Sequence, residues 1–197
     1  FVDADGELVD GAELLYIIAA EQHRRDGRCD GVVGTLMSNL GLELALRELS
    51  IPFVRAKVGD RYVKELMTSQ GYGLGGENSG HIICADVSTT GDGIVAALQV
   101  LRAMCTQQAP LATLRAPLSL LPQVMINVRT AAEFDLQDAL VQQEIARVEA
   151  ELGEAGRVLL RASGTEPLIR VMVEGRDGEQ VRALCARLAA CVERQAQ

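Results

Sequence analysis

The chain has 197 residues, 48% of them hydrophobic and 23% charged, with a formal net charge of −8. Such a composition builds a packed core and excludes a chain that is disordered over most of its length. The acidic balance argues against general binding to nucleic acid or to an anionic membrane, so any phosphate ligand must be held by local positive charge.

The chain opens at Phe1, not Met, and "FVDADG" reads as a strand already under way that turns at Asp5–Gly6. We expect a piece of a longer chain. Asp10 followed by Glu13 is a capping-box pair, and Leu14, Leu15, Ile17 and Ile18 then give a helical face. "GVVGTLM" (31–37) reads as a short buried strand, and "SNLGLELALREL" as a helix capped by Ser38. "IPFVRAKV" is a strand. "GDRYVKELMTSQG" is a helix capped by Asp60 and closed by Gly71. The glycine-rich "GLGGENSG" reads as a loop leading into the strand "HIICADV". "TTGDGIVAALQVLRAMCTQQ" is a long helix whose apolar face is Ile94, Val95, Leu98, Leu101 and Met104. Alternating strands and helices over these residues predict a layered α/β domain.

"APLATLRAPLSLLPQ", with Pro110, Pro117 and Pro122, reads as a linker. After it come a strand (VMINVRT), a helix (LQDALVQQEIARVEAELG), two strands (GRVLLRAS and PLIRVMVEG) and a helix (DGEQVRALCARLAACVERQ). That order predicts a small α+β domain. The expected division is residues 1–115 and 116–197.

Five cysteines occur, with no CxxC spacing and an odd count. They read as reduced, mostly buried thiols of a reducing compartment, the cytoplasm. No run is long enough to span a bilayer, and no signal peptide is visible.

Three stretches could carry chemistry. In "RASGTEPLIR" (161–170) a strand delivers Arg161 to a turn of Ser163, Gly164 and Thr165, and Arg170 follows on the next strand. Guanidinium forks, hydroxyls and free backbone N–H groups make an anion cradle; a plain hairpin with a surface arginine is the alternative. In "AKVGDRYV", Lys57, Gly59, Asp60 and Arg61 lie where a strand meets a helix N-terminus, a place that attracts anions; the alternative is a capped helix with solvated charges. Only two lysines, Lys57 and Lys64, stand among the nineteen Lys and Arg residues. In "GLGGENSGHII" a permissive backbone carries Glu77, Asn78, Ser79 and His81. Glu77 can accept from two neighbouring sugar hydroxyls, Ser79 can donate or accept, and His81 can titrate near neutrality; the alternative is a tight polar turn. "DADGE" imitates the start of a calcium loop without its later ligands, and reads as a β-turn. The glycines at 73–76 do not complete a dinucleotide fingerprint. His23 reads as an exposed helical residue.

"GENSGH", "TTGDGIVAALQVL" and "RASGTEPLIRVMVEG", in this order and spacing, resemble the C-terminal half of an α-D-phosphohexomutase, and "VGTLMSNLGLELAL" and "AKVGDRYV" fit the same pattern. Within the family the resemblance is strongest to the bacterial subgroup acting on glucosamine phosphates. It covers essentially the whole chain and implies the third and fourth of four domains: an α/β/α layer with a sugar-recognition loop, then an α+β phosphate-binding module. It assigns sugar contacts to Glu77, Ser79 and His81, with Asn78 the variable position and His81 a candidate for assisting catalysis. It assigns phosphate contacts to Arg161, Ser163, Gly164, Thr165 and Arg170, and places Lys57, Gly59, Asp60 and Arg61 near the active site. The family's phosphoserine loop and DGDxDR metal loop are missing here, and Asp3-Ala4-Asp5-Gly6 lacks the third Asp and the Arg.

The implied parent enzyme is a cytoplasmic isomerase. It would interconvert glucosamine 6-phosphate and glucosamine 1-phosphate through a bisphosphate and a phosphoserine, on the route to UDP-N-acetylglucosamine and cell-wall precursors. Mg2+ would be held by residues outside this chain and none by the chain itself. The implied partners are the phosphosugar, the N-terminal domains of the same chain, and a second copy in a homodimer. A phosphomannomutase or phosphoglucomutase, or a non-catalytic phosphosugar-binding module, are the competing readings.

Overall fold

A computed structural model describes residues 1–130, 134–163 and 166–196. Gly164 and Thr165, two of the predicted phosphate-binding residues, lie outside the described residues. The chain divides into two compact units, Phe1–Leu120 and Leu121–Gln197.

The first unit opens with an isolated bridge between Val2 and Leu8. The turn between them closes where the Gly6 N–H donates to Asp3 O, with Gly6 at φ +84°. The helix α1 (Gly11–Asp26) follows, and the predicted capping box is present. Asp10 Oδ1 accepts from the Ala12 and Glu13 amides at 2.9 and 3.1 Å, while Glu13 Oε2 accepts from the Asp10 amide at 2.8 Å. These bonds satisfy donors that a helix start leaves open. Next come β1 (Val32–Thr35), α2 (Leu40–Glu48), β2 (Phe53–Ala56), α3 (Asp60–Gln70), β3 (Leu74–Gly76), β4 (Ile82–Cys84), α4 (Gly93–Gln107) and α5 (Leu111–Arg115).

The sheet order is β2-β1-β3-β4, with β1 parallel to both β2 and β3 and β4 antiparallel to β3. Side chains alternate across it. Val32, Leu74, Ile82 and Cys84 join the core built with α1, α2 and α4, whereas Val33, Ala56 and Ile83 pack on Val63 and Met67 of α3. This is the expected α/β/α layering. Leu15, Ile17 and Ile18 of α1 are at most 1% exposed, and full burial of each such side chain stabilises by roughly 1.5–3 kcal/mol.

The structure corrects several expectations. Asn39, not Ser38, caps α2, its Oδ1 accepting from the Gly41 amide at 2.8 Å. Ser38 Oγ instead accepts from the Thr35 amide at 2.9 Å, one turn earlier. Asp60 is the first helical residue of α3, and the cap position is Gly59 with no side-chain cap. The face expected for α4 is met only at Val95 and Met104, which pack against the core; Ile94, Leu98 and Leu101 are 74%, 57% and 45% exposed, while Ala96, Val100 and Ala103 are buried. Small side chains let α4 sit close to α1 and the sheet, and three of the larger apolar residues are left outside. Residues 111–118 are more than linker: α5 forms there, and Leu111 and Leu118 join the core. A strand, β3, occupies the glycine-rich stretch read as loop. A Cβ on Gly75 would lie 2.7 Å from Met67 Sδ and 2.9 Å from Val63 Cγ1, so this glycine lets α3 pack directly on the sheet.

The second unit is a three-stranded antiparallel sheet, β5-β7-β6, from β5 (Gln123–Arg129), β6 (Gly156–Ala162) and β7 (Leu168–Gly175). Two helices, α6 (Ala139–Leu152) and α7 (Gly178–Gln195), complete it. Val124, Ile126, Val128, Val158, Leu160, Ile169, Val171 and Val173 point to the helices and pack on Val141, Val148, Leu184 and Leu188. The other sheet face therefore carries the alternate residues.

Candidate functional site

The β3–β4 hairpin holds the predicted sugar loop. The Gly80 amide donates to Glu77 O at 3.0 Å and the Glu77 amide to His81 O at 3.1 Å, closing a turn in which Gly80 has φ +95°. A side chain there would be strained. The turn rests on α1: the Gly11 amide donates to Asn78 O at 3.0 Å. A Cβ on Gly11 would stand 2.2 Å from Glu77 O and 2.6 Å from Gly80 N, so only glycine allows this contact.

The "AKVGDRYV" stretch meets the same turn. Glu77 Oε1 accepts from the Gly59 amide at 3.1 Å. His81 Nε2 lies 3.7 Å from Asp60 Oδ2, and Lys57 Nζ sits 5.9 Å above the centre of the Tyr62 ring. The His81 ring covers Gly91, where a Cβ would be 2.1 Å from Nε2. Lys64 Nζ donates to Thr89 O, tying α3 to the loop that carries Gly91, and Asp92 Oδ1 caps α4 by accepting from the Ile94 and Val95 amides. Gly59, Asp60, Glu77, Asn78 and His81 are thus brought together. One carboxylate oxygen of Glu77 is thus already engaged by the Gly59 amide. Arg61 turns elsewhere and pairs with Glu65 at 2.8 Å. Gly11 and Gly91 were not picked out as site residues. Gly11 acts on residues 77–80 and Gly91 on His81, and nothing local in the chain marks either.

In the second unit Arg161 on β6 stands directly opposite Arg170 on β7, and Asn127 on β5 is opposite Arg170 on its other side. Like charges facing each other across a ladder destabilise it. Both Nε atoms are buried without a hydrogen-bond partner among the described residues. Burial first, and the Arg170 charge second, pull the Arg161 pKa below the usual arginine value. The single carboxylate on these three strands is Glu174, which is fully buried and bonded to the Arg157 guanidinium at 3.0 Å and the Gln123 amide at 2.9 Å. Buried polar groups in native folds usually have partners, so the two Nε–H groups are donors left unused among the described residues. Beyond Ala162 the Ser163 amide donates to Leu168 O at 2.9 Å.

Asp3 of "DADG" is engaged within the chain. Asp3 Oδ1 accepts from the Asp5 and Glu7 amides, and Oδ2 pairs with Arg115 at 2.9 Å. The Glu7 amide is the main reason its pKa lies below the usual carboxylate range. Among the described residues no three His, Cys, Asp or Glu side chains gather as a metal ion would need.

Comparison with known proteins places both units. Residues 10–119 match the model of the phosphoglucomutase/phosphomannomutase α/β/α domain III, and residues 125–190 match that of the phosphoglucomutase/phosphomannomutase C-terminal domain. The chain is 61% identical to a phosphoglucosamine mutase of Aeromonas hydrophila over 98% of its own length and 44% of that protein's. It is 59% identical to a phosphoglucosamine mutase of Cellvibrio japonicus, again over 98% and 44%. It therefore spans about 44% of the length of these curated relatives. The same fold occurs in Aspergillus fumigatus N-acetylphosphoglucosamine mutase, solved with GlcNAc-6P and magnesium. There the TM-score is 0.81 and the identity 21%, over all of this chain and 46% of that one. A phosphoglucomutase/phosphomannomutase family protein of Burkholderia thailandensis superimposes with TM-score 0.71 at 18% identity, over all of this chain and 44% of that one. The chain belongs to the phosphoglucomutase/phosphomannomutase family and carries its domain III and its C-terminal domain.

Proposed function

We propose that the chain supplies sugar and phosphate recognition to a phosphoglucosamine mutase, which interconverts glucosamine 6-phosphate and glucosamine 1-phosphate through a bisphosphate and a phosphoserine. The phosphoserine and the Mg2+ ligands would belong to the N-terminal domains of the longer protein, which would work in the cytoplasm, as a homodimer. The observation that carries the reading is the opposed pair Arg161 and Arg170, partly buried and with both Nε atoms lacking a partner among the described residues, in a chain 61% identical to the Aeromonas hydrophila enzyme.

Each element has a task. Arg161, Ser163, Gly164, Thr165 and Arg170 hold the phosphate that is not being transferred, with charge-assisted bonds contributing roughly 1.5–3 kcal/mol each. Glu77 Oε2, Ser79 and His81 bond to ring hydroxyls. A reaction in which the bisphosphate reverses end for end needs one phosphate cradle that accepts either end. It also needs hydroxyl contacts that work in both orientations. Glu77 suits this because a carboxylate accepts from whichever hydroxyl faces it. Lys57, exposed beside Tyr62, adds positive charge near the hairpin.

The test is an amide NMR titration of the chain with glucosamine 6-phosphate, mannose 6-phosphate, glucose 6-phosphate and inorganic phosphate. The reading predicts shifts at residues 77–81 and 161–170, largest with the glucosamine compound. A larger response to the mannose or glucose compound would favour a phosphomannomutase or phosphoglucomutase. No response at either stretch would sink the assignment.

A further inference from the structure

The face of the second sheet that points away from its helices is ordered in rows across the three strands. Gln123, Glu174 and Arg157 form one row and are bonded to each other. Met125, Met172 and Leu159 form the next, and Asn127, Arg170 and Arg161 the one after. At the loop end, Arg129 stands opposite Leu168. Directly opposed residues have Cβ atoms about 4.5–5.5 Å apart and diagonal ones about 7–8 Å. Asn127 and Arg129 are therefore within reach of whatever Arg161 and Arg170 hold. Both are exposed. Arg129 forms no ion pair among the described residues, although most arginines of this acidic chain do. Its row and the next offer no carboxylate.

We infer that the anion cradle extends onto β5, with Asn127 and Arg129 as further phosphate-binding residues. The ligand class is a phosphomonoester dianion. Asn127 donates through Nδ2 to the oxyanion held by Arg170, and its Oδ1 orients the Arg170 guanidinium. Arg129 closes the open side and offsets the second negative charge. The inference rests on the reading that the second unit binds phosphate.

The test measures inorganic phosphate binding to the whole chain by NMR, following the Arg161 and Arg170 Nε–H signals, for the native protein and for Arg129→Gln, Arg129→Lys, Asn127→Ala and Arg161→Gln. Both β5 positions are exposed, so the variants should fold, and dispersed amide spectra check this. We expect Arg129→Gln and Asn127→Ala each to weaken binding about fivefold, with Arg129→Lys in between. If both β5 variants bind within twofold of the native protein while Arg161→Gln does not, the cradle ends at β7 and the inference is wrong. If Arg161→Gln also binds normally, or the native protein does not bind phosphate, the reading beneath it fails as well.

Discussion

The Gly59 amide donates to Glu77 Oε1 across 3.1 Å, so the start of α3 and the β3–β4 turn are tied together through the side chain proposed to read the sugar. Glu77→Gln keeps an acceptor for Gly59 and loses the charge. We expect stability within about 0.5 kcal/mol of native. Glu77→Ala should cost about 1 kcal/mol, because the Gly59 N–H loses its partner in a partly buried place. Both variants should lose the response to glucosamine 6-phosphate at residues 77–81 and keep that to inorganic phosphate at 161–170. Urea unfolding and NMR titration check this.

Gly11 and Gly91 support the loop without themselves offering a side chain. Gly11→Ala puts a methyl group against Glu77 O and Gly80 N, which are backbone atoms. Overpacking of this kind costs about 1–3 kcal/mol. Gly91→Ala would push the His81 ring aside instead, at smaller cost. The expected readout is a drop in unfolding midpoint for Gly11→Ala with amide shifts at 77–80. Gly91→Ala should move the His81 ring signals most.

Arg161 illustrates a conflict between stability and binding. It faces Arg170, and both Nε atoms lack a partner among the described residues. Arg161→Gln removes the like-charge pair and should raise stability by about 0.5–1 kcal/mol. The same change should weaken phosphate binding at least about tenfold. A variant that lost stability and kept phosphate binding would contradict the site.

Acid stability of the first unit should depend on Glu21. Its side chain is 1% exposed and bonds to Arg24, Thr106 and Gln107. The Arg24 bond is the largest cause of a pKa lowered from 4.5 to about 2. A carboxyl whose folded pKa lies below its unfolded value stabilises fully above the unfolded value and loses that contribution as pH falls through the folded one. The window here runs from pH 4.5 down to about 2. A shift of this size corresponds to about 3 kcal/mol. In unfolding measured against pH, Glu21→Gln should lower stability at neutral pH and flatten the profile across that window.

Much of the fold could be read from the chain. Asp10 and Glu13 announced α1, Gly71 closed α3, and the strand–helix alternation gave the layers. The misses have physical causes. β3 has only three residues, two of them glycine, and is a strand because β1 and β4 pair with it. α4 was read by its largest apolar residues, but close packing selected Ala96, Val100 and Ala103. The candidate site residues with marked chemistry, Glu77, His81 and Arg161, were visible as motifs. The opposition of Arg161 and Arg170 depends on strand register, and the roles of Gly11 and Gly91 depend on contacts across the fold. Neither is written in any local pattern.

The most direct test of the account is the guanidinium NMR spectrum of Arg161 and Arg170 as glucosamine 6-phosphate is added. The account predicts that both Nε–H signals shift, and exchange more slowly with water, as the amides of residues 77–81 shift at the same ligand concentration. If both guanidinium signals stay where they are while the ligand binds elsewhere on the chain, the opposed arginines are not a phosphate site and the central claim is wrong.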